Sequence, residues 1–459
     1  MTKIESMDSL RHGRDVFRPS VPIRDALGLV MIWRCAFGVT MTFSWFPREL
    51  LLVGFAVWIA LAAATEGARL HRLVRTSFPL ILFVLVNITI DLVVLGDVSQ
   101  LISNFVVIWM LYVLGGFYAV SGGRFRAAVL TLLALDTAII MVVTLVELRA
   151  YPNIVRLGST AEGSAGVGAT YDTRLIATYA LVYACVVLAV FFFSMGVWTR
   201  GRYRLAGLSL AVLIAWWILQ TSFAIALIML ILFFTIVIID RAFSLNLVGK
   251  AIIVTVLAGI PLVFRESVGR SISSWDGSEM FGEILSSKSS DLGVGLEQGS
   301  SAMSDLRVEL YVQSLSVFMN NVLVGVHSVP AAEGVAGGHA GWLDGLAWFG
   351  LLRYLPLIYF MWKLRVPFTD AVSLGARKSY DSVFLAIVLI GFVNPIFFPQ
   401  LWLVFFVVVP LCIGSPLWGS EERDDRDPLA RRRTGARTPR TLESGVYHRD
   451  RRTAGINYV

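Results

Sequence analysis

Ser304-Asp-Leu-Arg-Val-Glu-Leu-Tyr311 and Gly337-Gly-His-Ala-Gly-Trp-Leu-Asp344 lie in the second half of a long polar stretch that runs from Phe264 to Asp344. The stretch opens with Arg265, Glu266 and Arg270 and passes through a Ser/Gly-rich tract before it reaches them. No other long segment of the chain is neither a hydrophobic run nor a terminal tail. Its polarity decides the fold by contrast, because nearly everything around it reads as a chain that lives in a bilayer.

Hydrophobic residues make up 56% of the 459 positions and charged residues 15%, and mean hydropathy is +0.73. An ordinary soluble domain carries about 45–50% apolar and about 25% charged residues. Apolar runs of about 20 residues are long enough to cross a bilayer as helices. The period-2 alternation of an outer-membrane barrel is missing. Runs fall near 26–46, 49–66, 77–95, 101–120, 127–147, 175–197, 205–220, 222–240, 250–264, 341–362, 382–397 and 399–418. The expected fold is therefore an all-α polytopic membrane protein of about twelve transmembrane helices. A large extracytoplasmic loop with short amphipathic helices would separate helices nine and ten.

Lys and Arg set the expected orientation. Arg69, Arg72 and Arg75 follow the second run, Arg124 and Arg126 the fourth, and Arg200, Arg202 and Arg204 the sixth. Arg241 and Lys250 flank the loop after the eighth, and Lys363, Arg365, Arg377 and Lys378 follow the tenth. The short exits at 96–100, 220–221 and 398 carry almost no positive charge. By the positive-inside rule both termini are cytoplasmic and loops 148–174 and 265–340 face outward. The net charge of +7 thus reflects membrane topology rather than nucleic-acid binding. The organisation predicted is a cytoplasmic segment 1–24, helices one to nine over 25–264, an outward loop 265–340, helices ten to twelve over 341–418, and a basic, disordered cytoplasmic tail 419–459.

Several chemistries find no motif. Cys35, Cys185 and Cys412 all sit inside apolar runs, so neither a disulfide framework nor a CxxC metal pattern is present. HExxH, P-loop, dinucleotide and nucleophile-elbow signatures are absent. The first outward turn, Trp45-Phe-Pro-Arg-Glu49, lacks the paired acids of a metal-dependent transferase. Asp425-Arg-Asp427 reads as part of a solvated charge run. Asp91, Asp136, Glu147 and Arg34 lie within runs, where they serve as interhelical packing contacts or line a groove.

The outward loops hold the candidate chemistry. Arg149, Arg156 and Arg174 lie in the first with several glycines, and Arg265, Arg270 and Arg307 in the second. Arginine presents a planar fork of donors that matches phosphate oxygens, so such a site suits a diphosphate. Val308, Val312, Leu315 and Met319 recur at helical spacing and predict an amphipathic helix near 304–320, with Arg307 and Ser314 seven apart on another face. His339 follows two glycines that would admit a bulky substrate, with Asp344 about a turn later. It is placed to take a proton from an acceptor hydroxyl or to hold a phosphate oxygen.

The loop resembles the O-antigen ligases and O-antigen polymerases. The likeness rests on Arg307 in its octapeptide, on Asn320-Asn-Val-Leu-Val-Gly325, and on His339-Ala-Gly-Trp-Leu-Asp-Gly-Leu-Ala-Trp-Phe-Gly350. Val322 stands where the family turn has proline, Ser222-Phe223 stands where many members have Ser-Arg, and Arg156-Leu-Gly158 is similar to the family's Arg-x-Gly. The resemblance implies a metal-independent, inverting GT-C-type glycosyltransferase without a cofactor. It would use undecaprenyl-diphosphate-linked oligosaccharide at the outer face of a bacterial cytoplasmic membrane, with polymerase favoured slightly over ligase. Its partners would be a lipid-linked donor, a glycan or lipid-linked acceptor, and the bilayer. Carried over by position, His339 would act on the acceptor hydroxyl, and Arg265, Arg307 and Arg156 would hold the donor diphosphate. The competing reading is a transporter or flippase of lipid-linked glycan, which twelve helices suit but which leaves the large outward loop without a purpose.

Overall fold

The computed structural model describes residues 20–36, 48–94, 96, 98–119, 123–150, 177–221, 223–246, 248–250, 252–253, 256, 302–326, 340–364 and 373–414. The basic tail from Gly419 to Val459 lies outside them. Among the described residues every regular element is a helix. In chain order these are α1 (Ser20–Arg34), α2 (Arg48–Val94), α3 (Gln100–Tyr118), α4 (Gly123–Ala150), α5 (Tyr179–Trp198), α6 (Gly201–Gln220) and α7 (Ala224–Phe243). They continue with α8 (Ala302–Asn320), α9 (Gly341–Leu364), α10 (Leu374–Val393) and α11 (Pro399–Ile413). Six of the described helices, α2 to α7, are long and apolar enough to cross a membrane. The chain is thus an all-α protein suited to a lipid bilayer. Of the run expected at 26–46, residues 37–46 lie outside the described residues, as does most of the run expected at 250–264.

The runs expected at 49–66 and 77–95 belong to the single element α2, whose only non-helical residue is Glu66 (φ −142°, ψ 48°). The sequence reading expects a loop at 67–76, but the chain there is helical, because Ala, Leu and Arg are strong helix formers and nothing between Ala68 and Ser77 breaks the pattern. The reversal is concentrated at one residue. Trp109 of α3 packs edge-on against Phe55 at 5.3 Å and donates to Ser77 Oγ at 3.0 Å, and those two residues are equally far from Glu66. The first half of α2 then passes from Trp109 toward Phe117, which Trp58 meets. The second half returns from Phe117, over which Arg69 sits, to Phe105, which Phe83 meets. The halves run antiparallel, and Glu66 is the tip of a hairpin. Its carboxylate accepts from Arg24 at 2.8 Å and Arg69 at 2.9 Å. Burial alone would raise the Glu66 pKa, but these two guanidinium hydrogen bonds outweigh it and hold the carboxyl below its usual range.

α5 is apolar all round and is buried along most of its length, as expected of a helix with neighbours on every side. It packs against α6, α7, α10 and α11. α11 is likewise buried, and its middle, Val404–Val408, widens into a π turn. α9 runs beside α2 and α3: Phe349 meets Phe83 and Phe105, and further along Phe360 meets Tyr112.

The basic loop ends gather at one end of this bundle. Trp198 packs beside Gly375 and carries Arg241 and Lys378 over its ring. The fully buried Asp240 pairs with Lys378 at 2.9 Å and with Lys250 at 2.8 Å. Tyr380 donates to Leu364 O, which brings the end of α9 to the same place. Because α9 and α3 run in the same direction, Tyr118, Arg69 and the Glu66 tip lie toward this end too.

Candidate functional site

At the opposite end, the first turn of α9 is held by α10 and α8. Gly341 N donates to Asn394 O just past α10, and Trp342 Nε1 donates to Val388 O within it. Asp344 reaches back one turn, where its Oδ2 accepts from Ala340 N at 2.9 Å. Its Oδ1 accepts from Ser314 Oγ of α8 at 2.6 Å. A buried carboxylate is costly without partners, and here it has two donors that also fix where α8 meets α9.

A second junction lies farther along both elements. α9 breaks at Gly350 (φ +64°, ψ 172°), and the turn that ends α8 has Gly325 at φ +64°. The two glycines lie back to back. A Cβ on Gly325 would stand 2.3 Å from Trp348 O and 2.4 Å from Gly350 N. The break frees backbone groups, and the neighbouring segment takes them up. Leu351 N and Leu352 N donate to Val322 O and Leu323 O, at 2.6 and 3.0 Å, and Val326 N donates to Ala347 O at 3.1 Å. The buried Arg353 closes the account, its Nη2 donating to Trp348 O and its Nε to Phe349 O, both at 3.1 Å.

These junctions set the direction of α8. Ser314 pairs with Asp344, and eight residues later Val322 pairs with Leu351, so α8 and α9 run in the same sense. Arg307 precedes Ser314 by seven residues, about 10.5 Å of helix and two turns on the same stripe. Ala340 precedes Asp344 by four residues, about 6 Å. The backbone of Arg307 and the residue that directly follows His339 are therefore at the same end of the α8–α9 pair.

Of the residues singled out from sequence, Arg156, Arg265 and His339 lie outside the described residues, and Arg307 is described by its backbone alone. Asp91 lies in the last turn of helix α2, its Oδ2 accepting from Ser99 N at 2.9 Å, and Ser99 in turn caps α3. That contact ties the end of α2 to the start of α3. Cys35, Cys185 and Cys412 are buried free thiols. Among the described residues no cluster of three or more His, Cys, Asp or Glu is arranged to hold a metal.

Sequence reasoning missed Asn394 and Arg353. Asn394 is buried beside Gly341, and its Nδ2 has no hydrogen-bond partner. The signal available was an Asn-Pro step interrupting two apolar runs. Arg353 could be found only as a charge inside a span, and nothing in the linear pattern says that it serves the broken carbonyls one turn back.

The fold and this end of the bundle thus define a helical membrane protein with a paired-helix element at one end. No protein-family model matches the chain, and no curated protein matches it.

Proposed function

We propose that the protein is a membrane glycosyltransferase that polymerises or transfers undecaprenyl-diphosphate-linked oligosaccharide on the extracytoplasmic face of a bacterial cytoplasmic membrane. In this reading about twelve spans leave both termini cytoplasmic, and the 265–340 loop carries the chemistry. The observation that supports it is the parallel register of α8 and α9, which brings the Arg307 position to the end of the pair where the chain leaves His339. The basic loop ends collected at the other end of the bundle fit the same orientation.

The chemistry asks little beyond these residue types. A sugar hydroxyl of the acceptor attacks the anomeric carbon of the donor, a new glycosidic C–O bond forms, and the bond from that carbon to the diphosphate oxygen breaks. His339 takes the hydroxyl proton. Arg265, Arg307 and Arg156 offset the charge that develops on the departing lipid diphosphate. Attack from the face opposite the leaving group inverts the anomeric centre.

Reconstitution of the purified chain with a polyprenyl-diphosphate oligosaccharide tests the proposal. Longer or transferred glycan is expected, and His339→Ala and Arg307→Ala are each expected to abolish turnover while the protein still folds. Translocation of the lipid without any glycan product would overturn the enzymatic reading. Normal turnover in either variant would remove that residue from the mechanism.

A further inference from the structure

We propose that the segment from Val312 to Val326 is embedded in the hydrocarbon of the bilayer as a re-entrant element, and is not an extramembrane helix. Three independent observations carry this. The first is its surface. On α8 and the turn that follows, Val312, Leu315, Met319, Leu323 and Val324 are all exposed, between 48% and 65%. Leu351, Leu352 and Leu355 of α9 are exposed beside them, and Ile358, Tyr359 and Trp362 continue the strip down α9. An apolar strip of this extent is not left facing water. Ser316 and Asn320 are the polar residues exposed along it, and the exposed Glu309 lies a turn nearer the start of α8 than Val312.

The second observation is depth. The Gly325–Gly350 junction is level with Phe349, which meets Phe83 of α2 and Phe105 of α3. Both belong to helices long and apolar enough to span a membrane. Phe105 lies a turn and a half inside the start of α3, and Phe83 three turns inside the end of α2. The junction is therefore roughly 8–17 Å below that end of the bundle, well within a hydrocarbon core about 30 Å thick.

The third is the backbone accounting. A broken helix beside a turn would leave bare amides and carbonyls, which hydrocarbon does not tolerate. Here the amides of 351 and 352 and the carbonyls of 347, 348 and 349 are each taken up by the 322–326 turn or by Arg353. Water at this place would make such reciprocal pairing unnecessary. In hydrocarbon it is required.

The occupant of the strip is lipid acyl chain, since the strip is continuous with the outward side of a helix that runs beside membrane-length neighbours. The inference stands independently of the enzymatic reading. For the test, Val312→Cys, Met319→Cys and Leu323→Cys are made singly in the full chain, whose native cysteines are buried, and labelled with an environment-sensitive thiol dye. The proteins are reconstituted in phosphatidylcholine–phosphatidylglycerol vesicles, with Val142→Cys on the exposed side of α4 as the lipid-facing reference. Lipids brominated along the acyl chain are expected to quench the labels at 319 and 323 as strongly as at 142, while aqueous iodide quenches them little. Strong iodide quenching without bromolipid quenching would mean an aqueous helix and would overturn the proposal. Protection from both quenchers would mean that protein covers the strip, and would overturn it equally.

Discussion

Gly325 and Gly350 are where single atoms matter most. A left-handed φ costs an L side chain about 1–2 kcal/mol, and a Cβ on Gly325 would also collide with two backbone atoms of α9. Neither neighbour is a flexible side chain that can yield. Gly325→Ala is therefore expected to separate α8 from α9 and lower the melting temperature in detergent by several degrees, or to prevent recovery of folded protein. Gly54→Ala is the matched control, since its Cβ would meet nothing nearer than Met31 Sδ at 4.0 Å. There the gain in helix propensity, up to about 1 kcal/mol, is expected to show as equal or higher stability. Equal tolerance at the two positions would contradict the back-to-back geometry.

Among the elements, the α2 hairpin and the basic end of the bundle rest on buried or half-buried charge. Glu66 has its pKa lowered in the fold, so it stabilises the protein above its unfolded pKa of about 4.3 and ceases to do so as pH falls through the lower folded value. Glu66→Gln is expected to melt earlier than the parent at pH 7, with the gap closing below about pH 4. A gap independent of pH would assign the loss to shape rather than charge. Asp240 poses a different problem, because it sits between two lysines with almost no access to water. Asp240→Asn removes the ion-pair partner of both ammonium groups and leaves Asp381 as the nearby carboxylate, a loss of up to about 3–5 kcal/mol for a broken buried pair. Lys378→Met leaves the Asp240–Lys250 pair standing and is expected to cost less. The order of the two melting temperatures checks this.

For the whole molecule, the two ends of the bundle differ in kind. One collects Arg24, Arg69, Lys250 and Lys378 with their carboxylates and Arg241 over Trp198, and the other collects the α8–α9 element, Asn394 and the start of α3. If that polarity is membrane topology, exposed positions at the basic end share one side. Arg124→Cys, Arg202→Cys and Arg377→Cys are expected to react alike with an impermeant thiol reagent, protected in intact cells and labelled after permeabilisation. One of the three labelling in intact cells would break the assignment of that loop.

Much of the architecture was legible in the linear pattern. Run length is a local property, and the bilayer makes it decisive, since only helices and closed barrels satisfy a backbone in hydrocarbon. The 3.6-residue period of Val312, Leu315 and Met319 likewise announced α8. The pattern did not show which way α8 points, what its apolar stripe faces, or that α9 is broken at Gly350. Those depend on pairs far apart in sequence: Ser314 with Asp344, Val322 with Leu351, and Gly325 with Gly350. The 67–76 stretch misled for the same reason, because a chain reversal at one residue has no compositional signature when its flanks are good helix formers. The sequence by itself determined an all-helical, apolar chain with a polar stretch before α9. Only the tertiary structure decided that the helix in that stretch runs parallel to α9 and turns back against its break, because hydrogen-bond partners across a fold are chosen by proximity, and proximity is not written in any one segment.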